Sequence, residues 1–480
     1  MFLGLDYGTS EVKALLLDER HRVLGTAGAP LEISRPQPGH SEQAPAAWWD
    51  GTRAACAELR AAQPEAWARV RAIGLSGQMH GAVLLDGADR VLRPAILWND
   101  TRSAAECQAM TAEMPALAML SGCVAMPGFT APKLRWVAAH EPEVFAQVAK
   151  VLLPKDYVRL LLTGEHLTDC SDASGTMWLD VERRDWSDDL LALTDLTRAQ
   201  MPRLVEGSEP GGTLRAGAAA ALGLPAGTVV AGGAGDNAAS AVGMGTVRPG
   251  AGFLSLGTSG VLFVATPAYQ PNPASAVHAY CHALPGQWHQ MSVMLSAASC
   301  LRWARTLLNA PSEAALEAQA AALTPARRAA APIFLPYLSG ERTPHNSASV
   351  RGSLHGLSHD TDSAALAYAV IEGVSFGLAD GLHALQAAGT QVRRLSLVGG
   401  GARSALWAQQ LASLLGVEIV THADSAAGGA LGAARLGWLA VGGVLDEVCT
   451  APAASHRFEP DMAEQALLHA RYGRFRGLYG

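Results

Sequence analysis

The sequence predicts an α/β fold built on central sheets and laid down twice along the chain. Three observations carry that expectation. Short apolar strands alternate with segments of helical periodicity. Strands end in glycine-rich turns at four places: Gly8-Thr9-Ser10, Gly232 to Asp236, Gly257 to Gly260 and Gly399 to Ser404. The run Gly252-Phe253-Leu254-Ser255-Leu256-Gly257-Thr258-Ser259-Gly260-Val261 echoes Phe2-Leu3-Gly4-Leu5-Asp6-Tyr7-Gly8-Thr9-Ser10-Glu11-Val12. Each is an apolar strand, then Gly-Thr-Ser, then another apolar strand, as an internal repeat would leave.

Taken in order, Phe2 to Leu5 reads as a strand, Tyr7 to Ser10 as a turn and Val12 to Leu17 as a second strand. The polar turn Asp18-Glu19-Arg20-His21 leads to a third strand at Val23-Leu24-Gly25. Pro45 to Ala62 reads as a helix, with Trp48, Ala55 and Leu59 on one face. Proline suits its first position, where the missing N–H has no partner to lose. Val70 to Leu75 is a buried strand ending at Ser76-Gly77-Gln78-Met79-His80-Gly81, and Ala82 to Leu85 continues as a strand. Residues from about 103 to 220 read as mostly helical, with breaks at Pro127-Gly128, Thr163-Gly164 and Glu209-Pro210-Gly211-Gly212. Thr228 to Ala231 is another strand, followed by Gly232 to Asp236 and a short helix to about Gly243. The pattern then restarts, and later the strand Leu395 to Val398 runs into Gly399-Gly400-Gly401-Ala402-Arg403-Ser404, with a helix from about Ala405. The expected halves are 1–243 and 244–480.

A chain of 480 residues has room for two large domains whose cores need no disulfide or metal. With 49% hydrophobic and 16% charged residues, disorder and sustained coiled coil are excluded. A net charge of −7 argues against nucleic acid as the main partner and leaves room for a local phosphate pocket. The 7 cysteines are widely spaced with no CxxC pair, which points to reduced thiols in a cytoplasmic protein. No basic segment precedes an apolar run at the N-terminus. The longest stretch without Asp, Glu, Lys or Arg, between Arg248 and Arg302, is broken by Gly, Pro, Asn, Gln and His. Neither a signal peptide nor a membrane span is expected.

Glycine turns let backbone N–H groups approach an anion, and hydroxyls or a helix N-terminus add donors. A phosphate cleft is one reading of four such turns; ordinary turns are the other. There is no Gly-Lys dipeptide and no Gly-x-Gly-x-x-Gly after the first strand, so no P-loop or Rossmann fingerprint. Two acids stand at strand ends. Asp236, before an apolar helix, is either a cap or a general base for a hydroxyl attacking phosphate. Asp6 would then orient Mg²⁺ through waters. Trp98-Asn99-Asp100-Thr101-Arg102 sets an aromatic face beside an amide, a carboxylate and a guanidinium, a mixture that suits a sugar or a capped helix start. His278-Ala279-Tyr280-Cys281-His282 carries metal-ligand side chains, but no second cluster supports a metal there.

Together these residues resemble the FGGY carbohydrate kinases of the actin-like ATPase superfamily. The family-wide marks are Asp6-x-Gly8-Thr9-Ser10, Gly257-Thr258-Ser259-Gly260, Gly399 to Ser404, Gly128 to Trp136, Gly352 to Leu357 and Ala369 to Gly373. Within the family the likeness is greatest to bacterial members acting on the pentulose D-xylulose. It is carried by Ser76 to Gly81, Leu92 to Asp100, Leu153 to Tyr157, Asp172 to Trp178, Gly235 to Ala239 and Leu338 to Asn346. The resemblance implies two actin-like (ribonuclease H-like) domains, each with a mixed central sheet flanked by helices, around a deep catalytic cleft. It implies ATP on the second domain and sugar on the first, with Asp236 as catalytic base. Met79 and His80 would contact the sugar, with Gln78, Trp98, Asp100, Arg102 and Asn237 around it. Gly8, Thr9, Ser10, Gly257, Thr258 and Ser259 would form the phosphate hairpins. Gly399, Gly400, Gly401, Ala402 and Ser404 would form the adenosine turn, and Asp6 with Asp236 the Mg²⁺ site. The role of Glu341-Arg342-Thr343-Pro344 is left open between bracing and ligand contact. Related sugar kinases are often homodimers; neither nucleic acid nor a membrane is an expected partner.

Overall fold

The computed structural model describes residues 1–422 and 428–479. Two mixed seven-stranded sheets carry the fold. In the first, strands run in the order Val23–Pro30, Glu11–Leu17, Phe2–Tyr7, Ala72–Gly77, Val229–Ala231, Pro210–Thr213, with Ala234–Gly235 also pairing Ala72–Gly77. In the second, the order is His278–Cys281, Trp288–Met294, Gly260–Thr266, Ala251–Leu256, Arg394–Val398, Glu418–His422, Ala454–Phe458. The two share one plan. An antiparallel hairpin, Phe2–Tyr7 with Glu11–Leu17, corresponds to Ala251–Leu256 with Gly260–Thr266. A parallel partner lies on the other side of each hairpin's first strand, Phe2 opposite Ala72 and Ala251 opposite Arg394. The two Gly-Thr-Ser turns stand at the same point of each plan, so the echo in the sequence is an echo in topology.

Pro45–Ala62 is the helix the pattern predicts, covering one face of the first sheet with Trp48, Ala55 and Leu59 buried. Each large apolar side chain buried this way contributes about 1.5–3 kcal/mol. The 25-residue helix Ser363–Ala387 does the same for the second sheet. It is long and apolar enough to cross a membrane by length and composition, but it is buried inside the second half. All seven cysteines are free and buried.

The other face of the first sheet is covered from far along the chain. Helix Gly428–Ala440 lies across Phe2–Tyr7 and Ala72–Gly77 and crosses helix Asp236–Gly243. The contact is backbone to backbone. A Cβ on Gly4 would fall on the Ala430 carbonyl, one on Gly74 on the Ala433 carbonyl, and one on Gly432 on the Ala239 carbonyl. Small residues on both partners are what allow the approach.

The 103–220 region departs from the mostly helical expectation. Helices Ala104–Glu113, Thr130–His140 and Pro154–Thr163 alternate with strands of two to four residues, such as Lys150–Leu152 and Leu167–Asp169. Such strands are too short to show a period of two, and their partners, Val83–Leu85 and Arg203–Val205, are distant in sequence. The region packs Trp178 and Leu179 into one core with Phe253, Phe263 and Met291 of the second sheet, so it joins the halves.

Candidate active site

Between the halves lies a cavity of about 630 Å³. The first half contributes Met79, His80, Trp98, Asp100, Asp236 and Asn237 to it; the second contributes Thr258, Ser259, His278, Tyr280 and Arg342. Eight residues expected at the site from sequence thus line a single cavity.

Asp236 opens its helix, and Gly235 is the N-cap. The turn before it turns sharply at Gly233, whose φ of +78° is in the left-handed region. A buried charge network braces this turn. Arg159 Nη1 donates to the Ala231 carbonyl at 2.5 Å, and its Nη2 donates to the Gly232 carbonyl. The Gly235 N–H donates to Ser171 Oγ at 3.2 Å. Behind it, Lys155 Nζ lies 2.6 Å from Asp156, 2.8 Å from Asp169 and 3.0 Å from Asp172, all fully buried. The Asp236 carboxylate accepts the Asn237 N–H at 2.7 Å and Asn237 Nδ2 at 2.9 Å. Burial, with the Asp6 charge adding to it, raises Asp236 to about 6 against these two donors. A carboxylate tuned in this way is mostly ionised at neutral pH and still basic enough to accept a proton.

His80 stands where the strand Ala72–Gly77 runs out, at φ +71°, a left-handed conformation that costs a non-glycine residue energy. Thr130 Oγ1 and Lys133 Nζ hold its carbonyl at 3.1 and 2.9 Å. Its ring stacks on Phe129 at 4.2 Å. His80 Nδ1 is 2.7 Å from the Gly175 carbonyl and so carries the proton. Burial pulls the imidazole down to about 3, which keeps it neutral and leaves Nε2 an acceptor.

The remaining expected residues take varied places. Gln78 is buried and does not reach the cavity; it accepts from Thr9 Oγ1 at 3.1 Å and donates to Gln43 Oε1 at 3.0 Å. Trp98, 49% exposed, offers its ring to the cleft and donates Nε1 to Thr9 Oγ1 at 2.9 Å. Asp100 lines the cavity with its carboxylate engaged by the Ser41 N–H at 2.6 Å and by Arg102 at 2.7 Å. Burial acts to raise Asp100, but the Arg102 hydrogen bonds outweigh it and hold it below the usual range. Arg102 itself lies under the surface, its guanidinium over the Trp136 ring at 4.9 Å and also bridged to Glu42, so it supports Asp100 without lining the cavity. Gly8, Thr9 and Ser10 turn beside Trp98. Gly257 to Ser259 is pinned by the Ala297 and Ala298 N–H groups to the helix Ala298–Leu307, leaving the Thr258 and Ser259 side chains exposed. Gly399, at φ +89°, lies against the Leu256 backbone, which brings the Gly399-Gly400-Gly401-Ala402 turn beside that hairpin. Ser404 is buried and caps the helix Ala405–Leu415 by accepting the Trp407 N–H.

Asp6 accepts from Ser76 Oγ at 2.8 Å and packs on Gly429. Burial raises its pKa as well. Two carboxylates whose charges resist each other suit a Mg²⁺ ion that keeps several waters and takes other ligands from phosphate. Among the described residues no group of three or more His, Cys, Asp or Glu side chains forms a full protein cage, the His278–His282 segment included. Sequence reasoning noted Phe129 and Lys133 only within a family mark, and His278 and Tyr280 only within a segment weighed for metal, and gave none of the four a place at this site. Lys133 carries the clearest signal in retrospect, a lysine inside an otherwise apolar helix face.

Family models of the FGGY family of carbohydrate kinases match residues 1–243 as the N-terminal domain and 252–441 as the C-terminal domain. A xylulose kinase of Escherichia coli (strain K12) is 49% identical over 482 residues, covering 100% of this chain and 98% of its own length. One from Klebsiella pneumoniae is 51% identical over 442 residues, covering 92% and 90%. The crystal structure of a xyloylose kinase from Brucella ovis superposes with a TM-score of 0.96 at 53% identity, covering 100% of this chain and 98% of that one.

Proposed function

Since the chain belongs to the FGGY family of carbohydrate kinases, we propose that it transfers the γ-phosphoryl group of ATP to the terminal hydroxyl of D-xylulose. The products are D-xylulose 5-phosphate and ADP. The observation that carries the reading is one cavity in which His80 and Trp98 face Asp236, Thr258 and Ser259. The full-length likeness to xylulose kinases supports the choice of sugar.

In this mechanism Asp236 accepts the proton of the sugar hydroxyl as that oxygen attacks the γ-phosphorus in line and the bond to ADP breaks. The His80 Nε2 acceptor and the Trp98 ring orient the sugar. Thr258 and Ser259 donate to the phosphate, with the Gly8-Thr9-Ser10 hairpin opposite and the Gly399 to Ala402 turn around the adenosine. Mg²⁺ held near Asp6 and Asp236 would supply charge neutralisation for the phosphates. The halves close on the sugar, which keeps water from the γ-phosphate. The seven buried thiols support a reducing, cytoplasmic setting.

The test is a coupled ADP-release assay with Mg-ATP and D-xylulose, D- and L-ribulose, L-xylulose, glycerol and D-gluconate. The expected result is a kcat/KM for D-xylulose at least about tenfold above every other substrate, about 1.4 kcal/mol. Best activity on another polyol would overturn the sugar, and turnover independent of any sugar would overturn the kinase reading.

A further inference from the structure

Two chemically different groups of side chains line the cavity. One holds Asp236, Asn237, Thr258 and Ser259. The other holds His80, Met126, His278, Tyr280 and Arg342. Arg342 reaches it from a loop of the second half that is fixed on several sides. Glu341 Oε1 accepts the Leu295 N–H at 2.9 Å and the Arg342 N–H at 2.7 Å. Thr343 Oγ1 donates to the Ala276 carbonyl at 3.1 Å and accepts the Val293 N–H at 3.1 Å. Glu341 is thereby engaged by backbone donors and does not pair with the neighbouring guanidinium.

The Arg342 guanidinium touches only the Met126 sulfur as a hydrogen-bond partner and makes no ion pair among the described residues. The guanidinium is partly buried in the cavity wall without a carboxylate, so its remaining N–H groups are available to acceptors on a ligand in the cavity. The imidazoles around it do not compensate, since burial keeps both His80 and His278 neutral, each at about 3. Tyr280 donates to Cys123 Sγ at 3.1 Å, so its oxygen serves His278 Nδ1 at 3.3 Å. Phe129 stacks on His80 at 4.2 Å and meets His278 edge-on at 5.9 Å, and Arg342 reaches Met126 beside them. The cation thus stands in one cluster with the two imidazoles.

We propose that Arg342 is a specificity-determining residue of the sugar site, donating a pair of hydrogen bonds to the hydroxyketone oxygens on C1 and C2 of the ketose. This rests on the reading of the site as a ketose kinase. In this reading a five-carbon chain with its terminal hydroxyl at Asp236 presents its C1 hydroxyl and C2 carbonyl to the side chains around Arg342. Two acceptors on adjacent carbons match the planar fork of a guanidinium, which a lysine or a neutral donor does not reproduce. His80 belongs to the first half and Arg342 to the second, so a sugar that engages both also links the halves.

The test compares D-xylulose with 1-deoxy-D-xylulose on the wild type, Arg342→Met and Arg342→Lys, reading kcat and KM separately. The wild type is expected to favour D-xylulose over the deoxy sugar by about tenfold or more in kcat/KM, the size of one charge-assisted hydrogen bond. Arg342→Met is expected to raise the KM for D-xylulose about 10- to 100-fold, leave the KM for ATP unchanged and bring the two sugars within about threefold of each other. Arg342→Lys should fall between. A methionine variant with KM and preference both unchanged would overturn the proposal. If the variants do not fold, phenylglyoxal labelling of the wild type followed by mass spectrometry decides: D-xylulose should protect Arg342, and equal labelling with and without saturating sugar overturns it. A wild type that does not turn over D-xylulose overturns the ketose reading, and this assignment with it. Wild-type turnover with unaffected variants overturns the Arg342 assignment alone.

Discussion

At the scale of single residues the site depends on groups kept out of their ordinary states. Asp236→Asn should cut kcat by about 10²–10⁴-fold with little change in ATP affinity, measured by the coupled assay. With a pKa of about 6, kcat/KM of the wild type should fall tenfold per unit below about pH 6 and level off above it. A profile still flat at pH 4.5 would remove Asp236 from the base role. The same shift has a stability consequence of definite sign. The folded pKa lies above the ordinary value, so the native state is favoured while the group is protonated and loses that advantage as pH rises from about 4 through 6. Asp236→Asn should therefore raise the melting temperature of the ligand-free protein at pH 8 and leave it nearly unchanged at pH 4. The ceiling is about 3 kcal/mol, reduced to the extent that water in the cavity screens the charge. Asp236 and His80 stood out in the sequence because each follows an apolar strand and is flanked by glycine, but their roles as base and sugar contact came from the family resemblance and not from that position. Lys133 and Gly175, which hold His80 in place, did not stand out, because they arrive from 53 and 95 residues away.

At the scale of elements, the helix pair Asp236–Gly243 and Gly428–Ala440 shows how closely the backbones approach. Gly432→Ala should destabilise by about 1–3 kcal/mol or more, because the added methyl meets a carbonyl that cannot step aside. Gly473, in helix Met462–Leu478, has open space around it. Gly473→Ala should stabilise by about 0.5–1 kcal/mol, since only the glycine's conformational freedom is lost. Urea unfolding of both variants checks the contrast; equal effects would contradict the packing argument. Elements with a strong internal pattern were readable: the 18-residue helix Pro45–Ala62 matches its expected bounds. The short strands of the 103–220 region were not, because their stability comes from distant partners and not from their own periodicity.

At the scale of the whole molecule, the duplication was legible from one repeated strand–Gly-Thr-Ser–strand segment, and the shared sheet plan accounts for it. The way the halves interlock was not, because nothing local marks Gly428–Ala440 as a partner of the first sheet. If the halves close on substrate, the radius of gyration from small-angle scattering should fall when D-xylulose and a non-hydrolysable ATP analogue are added together, and hydrolysis of ATP without sugar should be slow. An unchanged radius would count against closure.

The helix Gly428–Ala440 also constrains how the protein is made. A ribosome releases the first sheet's strands long before the helix that covers one of its faces. Until about residue 440 has left the exit tunnel, Phe2, Leu15 and Ala72, which share a core with Ala430 and Ala434, have no cover on that side. The first half therefore waits in the nascent chain with an open apolar face, exposed to chaperones and to neighbouring chains, and it completes its fold only after residue 440 has emerged. A fragment ending at residue 243 should accordingly be recovered as an aggregate or a chaperone-bound species, and adding a peptide of residues 428–440 should restore solubility.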